Sequence, residues 1–271
     1  TQGVSSAASD VYKRQELDSR FVAQAARYAR QQGHMKDMPA LLLAALTAQR
    51  SALVPELFAQ VVDNGKMLRN FVQILRSGVT GRKSLGSQPK RLVQNWLNSA
   101  TERQLLQASI GNQPSLADVV KMVHPKPGEA WREAFFAWLI GKPVDVQALP
   151  ELTRDLLAFR SGATREVPQV PFQLLGNETL SAEQWAGQAR NMGWQGLRMN
   201  LNTLARHGAF QVPGCTEYVA ARLADAGEVA KARVYPYQLL AAYRMAGDEV
   251  PQPVREALQD ALELSLSLIH I

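Results

Sequence analysis

Hydrophobic residues recur along most of this chain with the 3.6-residue period of an α-helix. Glycine and proline stand at most of the joins between periodic segments, and no segment alternates hydrophobic and polar residues as a half-buried strand does. The pattern predicts fourteen short helices, at 17–32, 38–50, 55–63, 66–77, 89–98, 102–110, 116–124, 129–140, 150–160, 182–191, 194–207, 216–226, 236–246 and 251–263. Short helices joined by short loops favour an all-α fold of stacked antiparallel pairs.

Local sequence signals mark many of the helix ends. Thr101 with Gln104 and Ser181 with Gln184 have the spacing of capping boxes at helix starts. Five glycines at the ends of periodic segments are predicted to close helices: Gly33, Gly65, Gly111, Gly141 and Gly208. The segment 38–50 is apolar almost all round, so it should lie between neighbouring helices. This pattern is typical of a HEAT-like helical-repeat superhelix or ring, an α-solenoid.

We expect residues 16–263 to form one helical-repeat domain of a longer protein. Residues 1–15 and 264–271 resemble translated adapter sequence, so we interpret the first as a non-native or disordered segment and the second as a non-native tail. The longest irregular stretch inside the expected domain is 161–180, which predicts a loop or a weak subdomain boundary.

Positive charge is concentrated in one part of the chain. The sequence has 30 Lys and Arg against 24 Asp and Glu, and a pI near 9.6. Seven cations follow one another without an intervening acid: Lys66, Arg69, Arg76, Arg82, Lys83, Lys90 and Arg91. A face that is merely solvated usually mixes charges of both signs, so this stretch predicts a binding site for an anion, with a solvated charged face as the alternative.

A second group of basic residues lies at the predicted end of helix 116–124. Lys121, His124 and Lys126 sit where Pro125 and Pro127 prevent the helix from continuing. Two cations beside a titratable imidazole suit an anionic partner. A histidine at a helix end is also commonly structural, so the prediction for His124 depends on its basic neighbours.

Polar residues form a third candidate set on helix 194–207. Arg198, Asn202 and Arg206 recur at helical spacing on a face away from the apolar seam. Asparagine is unfavourable inside a helix, which indicates a polar function at this position. Either these side chains tie down a neighbouring loop, or they contact a ligand.

The sequence offers no catalytic, metal or cofactor signature. Cys215 is the single cysteine, the four histidines are scattered, and no phosphate-binding loop, dinucleotide fingerprint or paired carboxylates occur. We therefore expect no enzyme activity, metal or cofactor. No apolar run approaches the roughly 18 residues of a membrane span. With one cysteine and no such run, the expected location is the cytoplasm.

Five segments together carry a resemblance to a known family. They are GRKSLGSQPKRLVQNW, PSLADVVKMVHPKP, PFQLLG, MGWQGLRMNLNTLARHG and YPYQLLAAY. In this order they resemble the TROVE module of the Ro autoantigen ribonucleoproteins, of bacterial type. The resemblance implies a closed or nearly closed ring of HEAT-like repeats that binds small noncoding RNA of the Y RNA class on its outer basic face. It also implies that 3′ ends of misfolded RNA pass through a central hole, in RNA quality control with exonuclease partners.

The resemblance extends to individual positions. His124 matches the RNA-contacting histidine of the family's H-x-K-P segment, Lys126 follows it, and Arg82 matches the basic residue of the G-R turn. Gln107 and Gly111 stand where the animal proteins carry a lysine and an arginine that help to bind Y RNA. The family's second domain, a von Willebrand A fold with a D-x-S-x-S metal motif, does not occur in this sequence, so the resemblance assigns no metal site.

These observations predict a non-catalytic RNA-binding scaffold whose partners are small noncoding RNA and an exoribonuclease, with no membrane and no small-molecule substrate. Two other functions fit the same architecture. One is a HEAT-like protein scaffold for an acidic partner. The other is a helical-repeat nucleic-acid glycosylase, which would need a carboxylate in the basic groove.

Overall fold

The computed structural model of this chain describes residues 18–267. Within that range it contains 15 α-helices and no β-strand, which confirms the predicted all-α class. The helices are α1 (Ser19–Gln31), α2 (Asp37–Ala48), α3 (Val54–Val61), α4 (Gly65–Ser77), α5 (Ser87–Ser99), α6 (Glu102–Ala108), α7 (Leu116–Val123), α8 (Ala130–Leu139), α9 (Glu151–Arg160), α10 (Ala182–Asn191), α11 (Trp194–Arg206), α12 (Cys215–Ala224), α13 (Ala226–Ala232), α14 (Pro236–Met245) and α15 (Gln252–Ser267). All fourteen predicted helices are present.

The helix α13 was missed by the sequence prediction. Asp225 ends α12 and at the same time caps α13, because its Oδ1 accepts a hydrogen bond from the backbone N–H of Glu228 at 2.7 Å. The Asp-x-x-Glu spacing that produces this cap is visible in the sequence. Because this seven-residue helix starts directly after α12, the hydrophobic period of the sequence did not distinguish the two helices.

The chain divides into two compact units, Thr1–Arg154 and Asp155–Ile271. The division falls within α9, whereas the sequence placed a weak boundary at 161–180. In the first unit α2 packs against α1, α3 and α4, while α4 contacts α6 and α5 contacts α7. Contacts between each helix and the next but one are typical of stacked helical pairs. Leu43 and Leu46 of α2 are fully buried, as expected for a helix enclosed by its neighbours.

Gly65 does not close a helix, and that prediction was wrong. It is the first residue of α4, whose start is capped by Asn64 through a 3.0 Å bond from the backbone N–H of Met67 to Asn64 Oδ1. Gly65 is buried, and an added methyl group would overlap with the Cβ of Ala108 on α6. The glycine is needed here because α4 and α6 approach closely.

The second unit has one apolar core, in which α15 packs against α12, α13 and α14. The indole N–H of Trp194 in this core donates to the carbonyl of Leu223 at 3.2 Å. Helix α15 continues to Ser267, and Ser265 is buried, so residues 264–267 of the expected tail are helical. The expected non-native segment 1–15 and the remainder of the expected tail 264–271, from residue 268 onward, lie outside the described residues.

Candidate nucleic-acid interface

Two side chains of α5 hold the chain where it leaves α7. The Nε2 of Gln94 donates to the carbonyls of Val123, at 2.5 Å, and His124, at 3.2 Å. The Nδ2 of Asn98 donates to the carbonyl of Lys126 at 3.2 Å. Gln94 and Asn98 are one helical turn apart on the same face of α5. The backbone of the exit segment is thus fixed to α5, and the side chains of His124 and Lys126 are both exposed.

The backbone of His124 ends α7. Its φ of +51° is in the left-handed region, and its N–H donates to the carbonyl of Val120 at 2.9 Å. A non-glycine residue in this conformation is uncommon and persists where the surrounding contacts require it. The bonds from Gln94 supply such contacts, so the backbone that carries the imidazole is fixed by the fold.

A capping box fixes the other end of α7. The backbone N–H of Ser115 donates to Asp118 Oδ2 at 3.0 Å, and the N–H of Asp118 donates to Ser115 Oγ at 3.1 Å. The bonds from Ser115 lower the pKa of Asp118, burial opposes them, and the positive charges of Lys121 and Arg76 lower it further. The carboxylate is therefore held in its charged form at the helix start.

Two adjoining grooves flank α7, and Lys121 lines both of them. The first lies between α4 and α7 and includes Arg76 and Asp118. The second, with a volume of about 690 Å³, lies between α7 and α8 and has an apolar floor. The basic residues of the two grooves, which we call the α7 surface, are Arg76, Lys121, His124, Lys126 and Lys142.

Positive charge predominates on the α7 surface. Its four permanent cations face two carboxylates, Asp118 in the first groove and Glu133 in the second. None of the four forms one of the ion pairs found among residues 18–267, which involve Arg27, Arg30, Arg132, Arg160, Arg222 and Arg255. The charge of these side chains therefore remains available to an anion from solution.

Arg69 has a partner inside the protein. Its guanidinium donates to the carbonyl of Ile110 at 2.5 Å and to that of Pro114 at 3.4 Å, and burial lowers its pKa. An added Cβ on Gly111, whose φ is +110°, would collide with this guanidinium. Gly111 thus makes room for the guanidinium of Arg69. The guanidinium of Arg69 is therefore engaged within the fold.

Arg82 also has a partner within the fold. Its Nη1 donates to the carbonyl of Thr47, in the last turn of α2, at 2.9 Å. This bond satisfies one of the carbonyls that a helix leaves without an intrahelical partner at its end. The G-R turn therefore fastens the loop before α5 to α2, and Arg82 is half-buried.

The other predicted cations of the first unit are on the surface but do not line the two grooves. Lys66, Lys83 and Arg91 are exposed, and Lys90 is half-buried. Lys90 precedes Gln94 by one turn of α5, so it lies on the face of α5 that holds the exit of α7. Of the seven cations in the acid-free stretch, Arg69 and Arg82 are bonded within the fold and Arg76 lines a groove. The other four lie elsewhere on the surface.

In the second unit the polar face of α11 ties down the segment that follows α13. Arg198 Nη1 donates to the carbonyl of Gln238 at 3.1 Å, and burial lowers the Arg198 pKa. Asn202 Nδ2 donates to the carbonyl of Met245 at 2.9 Å, and its Oδ1 accepts from the N–H of Gly247 at 2.9 Å. The loop-anchoring alternative therefore holds for Arg198 and Asn202. Arg206 is exposed.

The sequence did not identify three residues of the first-unit site. Gln94 and Asn98 lie inside the motif GRKSLGSQPKRLVQNW, yet their role depends on a helix about 30 residues further along the chain. Lys142 follows α8 and was not linked to α7 because the two are neighbours only in the folded chain. The only sequence signal for this contact was the spacing of Gln94 and Asn98, two polar residues four positions apart on one helix.

The described part of the chain shows no arrangement suited to metal chemistry. Among residues 18–267 no group of three or more His, Cys, Asp or Glu side chains is placed to hold a metal ion. Burial raises the pKa of the Cys215 thiol, the opposite of what activates a nucleophile. No helix in the same range is both long and apolar enough to span a membrane.

The architecture defines a class of all-α proteins made of stacked helical pairs. A comparison with solved structures finds a similar fold in the crystal structure of the Deinococcus radiodurans Ro (RSR) protein, with a TM-score of 0.62 and 21% sequence identity. The match covers 91% of this chain and 58% of that one, so the chain spans little more than half of its neighbour's length. No protein-family model and no curated protein matches the sequence. The fold is Ro-like.

Proposed function

We propose that this chain is a non-catalytic RNA-binding scaffold that contacts RNA phosphates through the α7 surface. The observation that carries the proposal is the pair of amide side chains on α5, Gln94 and Asn98, which fix the exit of α7 while Lys121, His124 and Lys126 remain open to solvent. Unpaired cations on a rigid backbone suit phosphate binding, because little has to be reordered when the ligand arrives.

The finer parts of the proposal rest on the sequence motifs together with the Ro-like fold. The ligand is a small noncoding RNA of the Y-like class, and 3′ ends of misfolded RNA are a second ligand in RNA quality control. The partner is an exoribonuclease, and the location is the cytoplasm. Gln107 is exposed and Gly111 accommodates Arg69, so the RNA contacts of the animal proteins at these positions are not reproduced here.

The proposal is tested with the double variant Lys121→Glu/Lys126→Glu and a fluorescein-labelled RNA hairpin. Fluorescence anisotropy at low salt should show an affinity lower by about tenfold or more. The slope of log K against log salt concentration should become shallower by about 0.7–0.9 for each phosphate that the variant no longer neutralises. Neither substituted side chain is buried, so the thermal unfolding midpoint should fall only slightly, through the loss of the Lys121 charge near Asp118 and in the last turn of α7.

Lys36→Glu is the matched control, since Lys36 is an exposed lysine before α2 and lies outside both grooves. It should bind the hairpin nearly as the wild type does. Equal losses of affinity in the double variant and in a variant with two such control substitutions would mean that net charge, not the α7 surface, determines binding. If the wild-type chain binds no RNA at low salt, the proposal is wrong and the scaffold for an acidic protein partner takes its place.

A further inference from the structure

A short segment of the second unit presents two cations and two aromatic rings to solvent. Tyr235 and Tyr237 are 64% and 67% exposed, their ring centroids are 5.9 Å apart, and their planes differ by 15°. Lys231 and Arg233 just before them are also open to solvent, whereas Val234 is buried. None of these residues belongs to the α7 surface.

The backbone that carries these side chains is fixed by α11. Gln195 Nε2 donates to the carbonyl of Ala232 at 3.4 Å, and Arg198 Nη1 donates to the carbonyl of Gln238. Arg198 also donates to Gln195 Oε1, so the two side chains act as one support. The backbone N–H of Tyr235 donates to Gln238 Oε1 at 3.2 Å. Exposed aromatic rings on a fixed backbone provide contact area with little loss of conformational entropy on binding.

The local charge indicates the chemistry of the ligand. No acid occurs between Val229 and Gly247, and Glu228 just before this range is paired with Arg222 at 2.9 Å. The cations of the segment form none of the ion pairs described among residues 18–267. Aromatic faces beside unpaired cations complement a single-stranded nucleic acid, in which bases stack and phosphates are negative. A purely apolar protein partner would leave these charges without a counterpart.

We propose that Tyr235 and Tyr237 form a stacking platform for bases of single-stranded RNA, with Lys231 and Arg233 holding the neighbouring phosphates. Because the two rings already stack on each other, a base adds to an outer face of the pair. This site deepens the proposed function and rests on it, because it gives the second ligand, a single-stranded RNA 3′ end, a binding site in the second unit that is separate from the α7 surface.

The test uses the full chain and a fluorescein-labelled oligouridylate of about ten nucleotides, within the usual site size of single-strand binders. Tyr235→Ala/Tyr237→Ala should weaken oligouridylate binding by about tenfold in fluorescence anisotropy, because removal of a stacking ring costs roughly that much. Tyr235→Phe/Tyr237→Phe keeps both π-faces and should bind as the wild type does. An RNA hairpin without a single-stranded tail should bind the wild type and both variants equally.

Tyr28→Ala is the matched control, because Tyr28 is a 69% exposed tyrosine on α1 of the first unit. Thermal unfolding followed by circular dichroism verifies that each variant folds. The proposal is overturned if the folded double alanine variant binds oligouridylate like the wild type, or if the wild type does not bind it. Tyr235 and Tyr237 would then be part of a protein-contact surface. Hairpin binding by Lys121→Glu/Lys126→Glu tests the α7 surface, and oligouridylate binding by the tyrosine variants tests this site. A negative result in one measurement therefore leaves the other proposal standing.

Discussion

At the scale of single residues, several arginines of this chain are bonded within the fold, whereas the lysines of the α7 surface are open to solvent. Arg69, Arg82 and Arg198 donate to backbone carbonyls 35–45 residues away in sequence, while Lys121 and Lys126 are open to solvent. The guanidinium has five donors in a fixed geometry and loses its hydration more readily than an ammonium group, so it suits such bridges. The sequence showed where the charges are, but the partner carbonyls become neighbours only through folding.

Arg69 and Arg76, both on α4, provide a matched pair of variants. We expect Arg69→Ala to reduce the free energy of unfolding by about 1.5–3 kcal/mol, since the variant lacks the bonds from a charged donor to two carbonyls. Arg76→Ala should change stability by less than about 0.5 kcal/mol, because Arg76 is exposed, and should weaken hairpin binding. Urea denaturation and fluorescence anisotropy measure the two effects. Weaker RNA binding by Arg69→Ala at unchanged stability would contradict the structural role assigned to Arg69.

Asp118 gives a pH dependence whose sign follows from its pKa. The bonds from Ser115 place its folded-state pKa below that of the unfolded chain, so the ionised cap stabilises the native state above about pH 4. This contribution disappears as the pH falls through the folded-state pKa. Thermal unfolding between pH 6 and pH 3 should therefore show a steeper loss of stability for the wild type than for Asp118→Asn. Parallel curves for the two proteins would contradict this prediction.

At the scale of elements, local signals in the sequence located the helices well. The capping boxes at Thr101 and Ser181 form as predicted, because both partners of a box lie within three residues of each other. The contact between α5 and the exit of α7 has no such signal. It joins residues about 30 positions apart and depends on the register of one helix against another.

The contact between α5 and α7 can be tested without changing any charge. We expect Gln94→Ala/Asn98→Ala to weaken hairpin binding although every cation of the α7 surface is retained, because the exit of α7 is no longer held in position. Stability should fall by about 0.5–1.5 kcal/mol for each hydrogen bond removed. Asn95→Ala, an exposed position on the same helix, is the control for binding and for thermal unfolding. Unchanged affinity in the double variant would show that Gln94 and Asn98 act on stability alone.

At the scale of the whole molecule, the periodic pattern was sufficient for the all-α class and for stacked pairs, because burial of one face of each helix is a property of the pattern itself. It did not place the division between Arg154 and Asp155. That division lies inside a continuous helix, where periodicity and loop composition carry no signal. The distribution of charge over the surface was likewise predictable only in part, since the acid-free stretch mixes half-buried cations, which are Arg69, Arg82 and Lys90, with exposed ones.

The salt dependence of RNA binding distinguishes a localised site from a generally basic molecule. If the cations of the α7 surface make the phosphate contacts, Lys142→Glu should make the slope of log K against log salt concentration shallower by about 0.7–0.9. Lys66→Glu makes the same change of net charge at an exposed position outside both grooves, and it should leave the slope nearly unchanged. The measurement is hairpin anisotropy from low to moderate salt. Because Lys142 lies outside the acid-free stretch and Lys66 within it, the opposite result would favour the linear charge pattern over the folded surface as the determinant of binding.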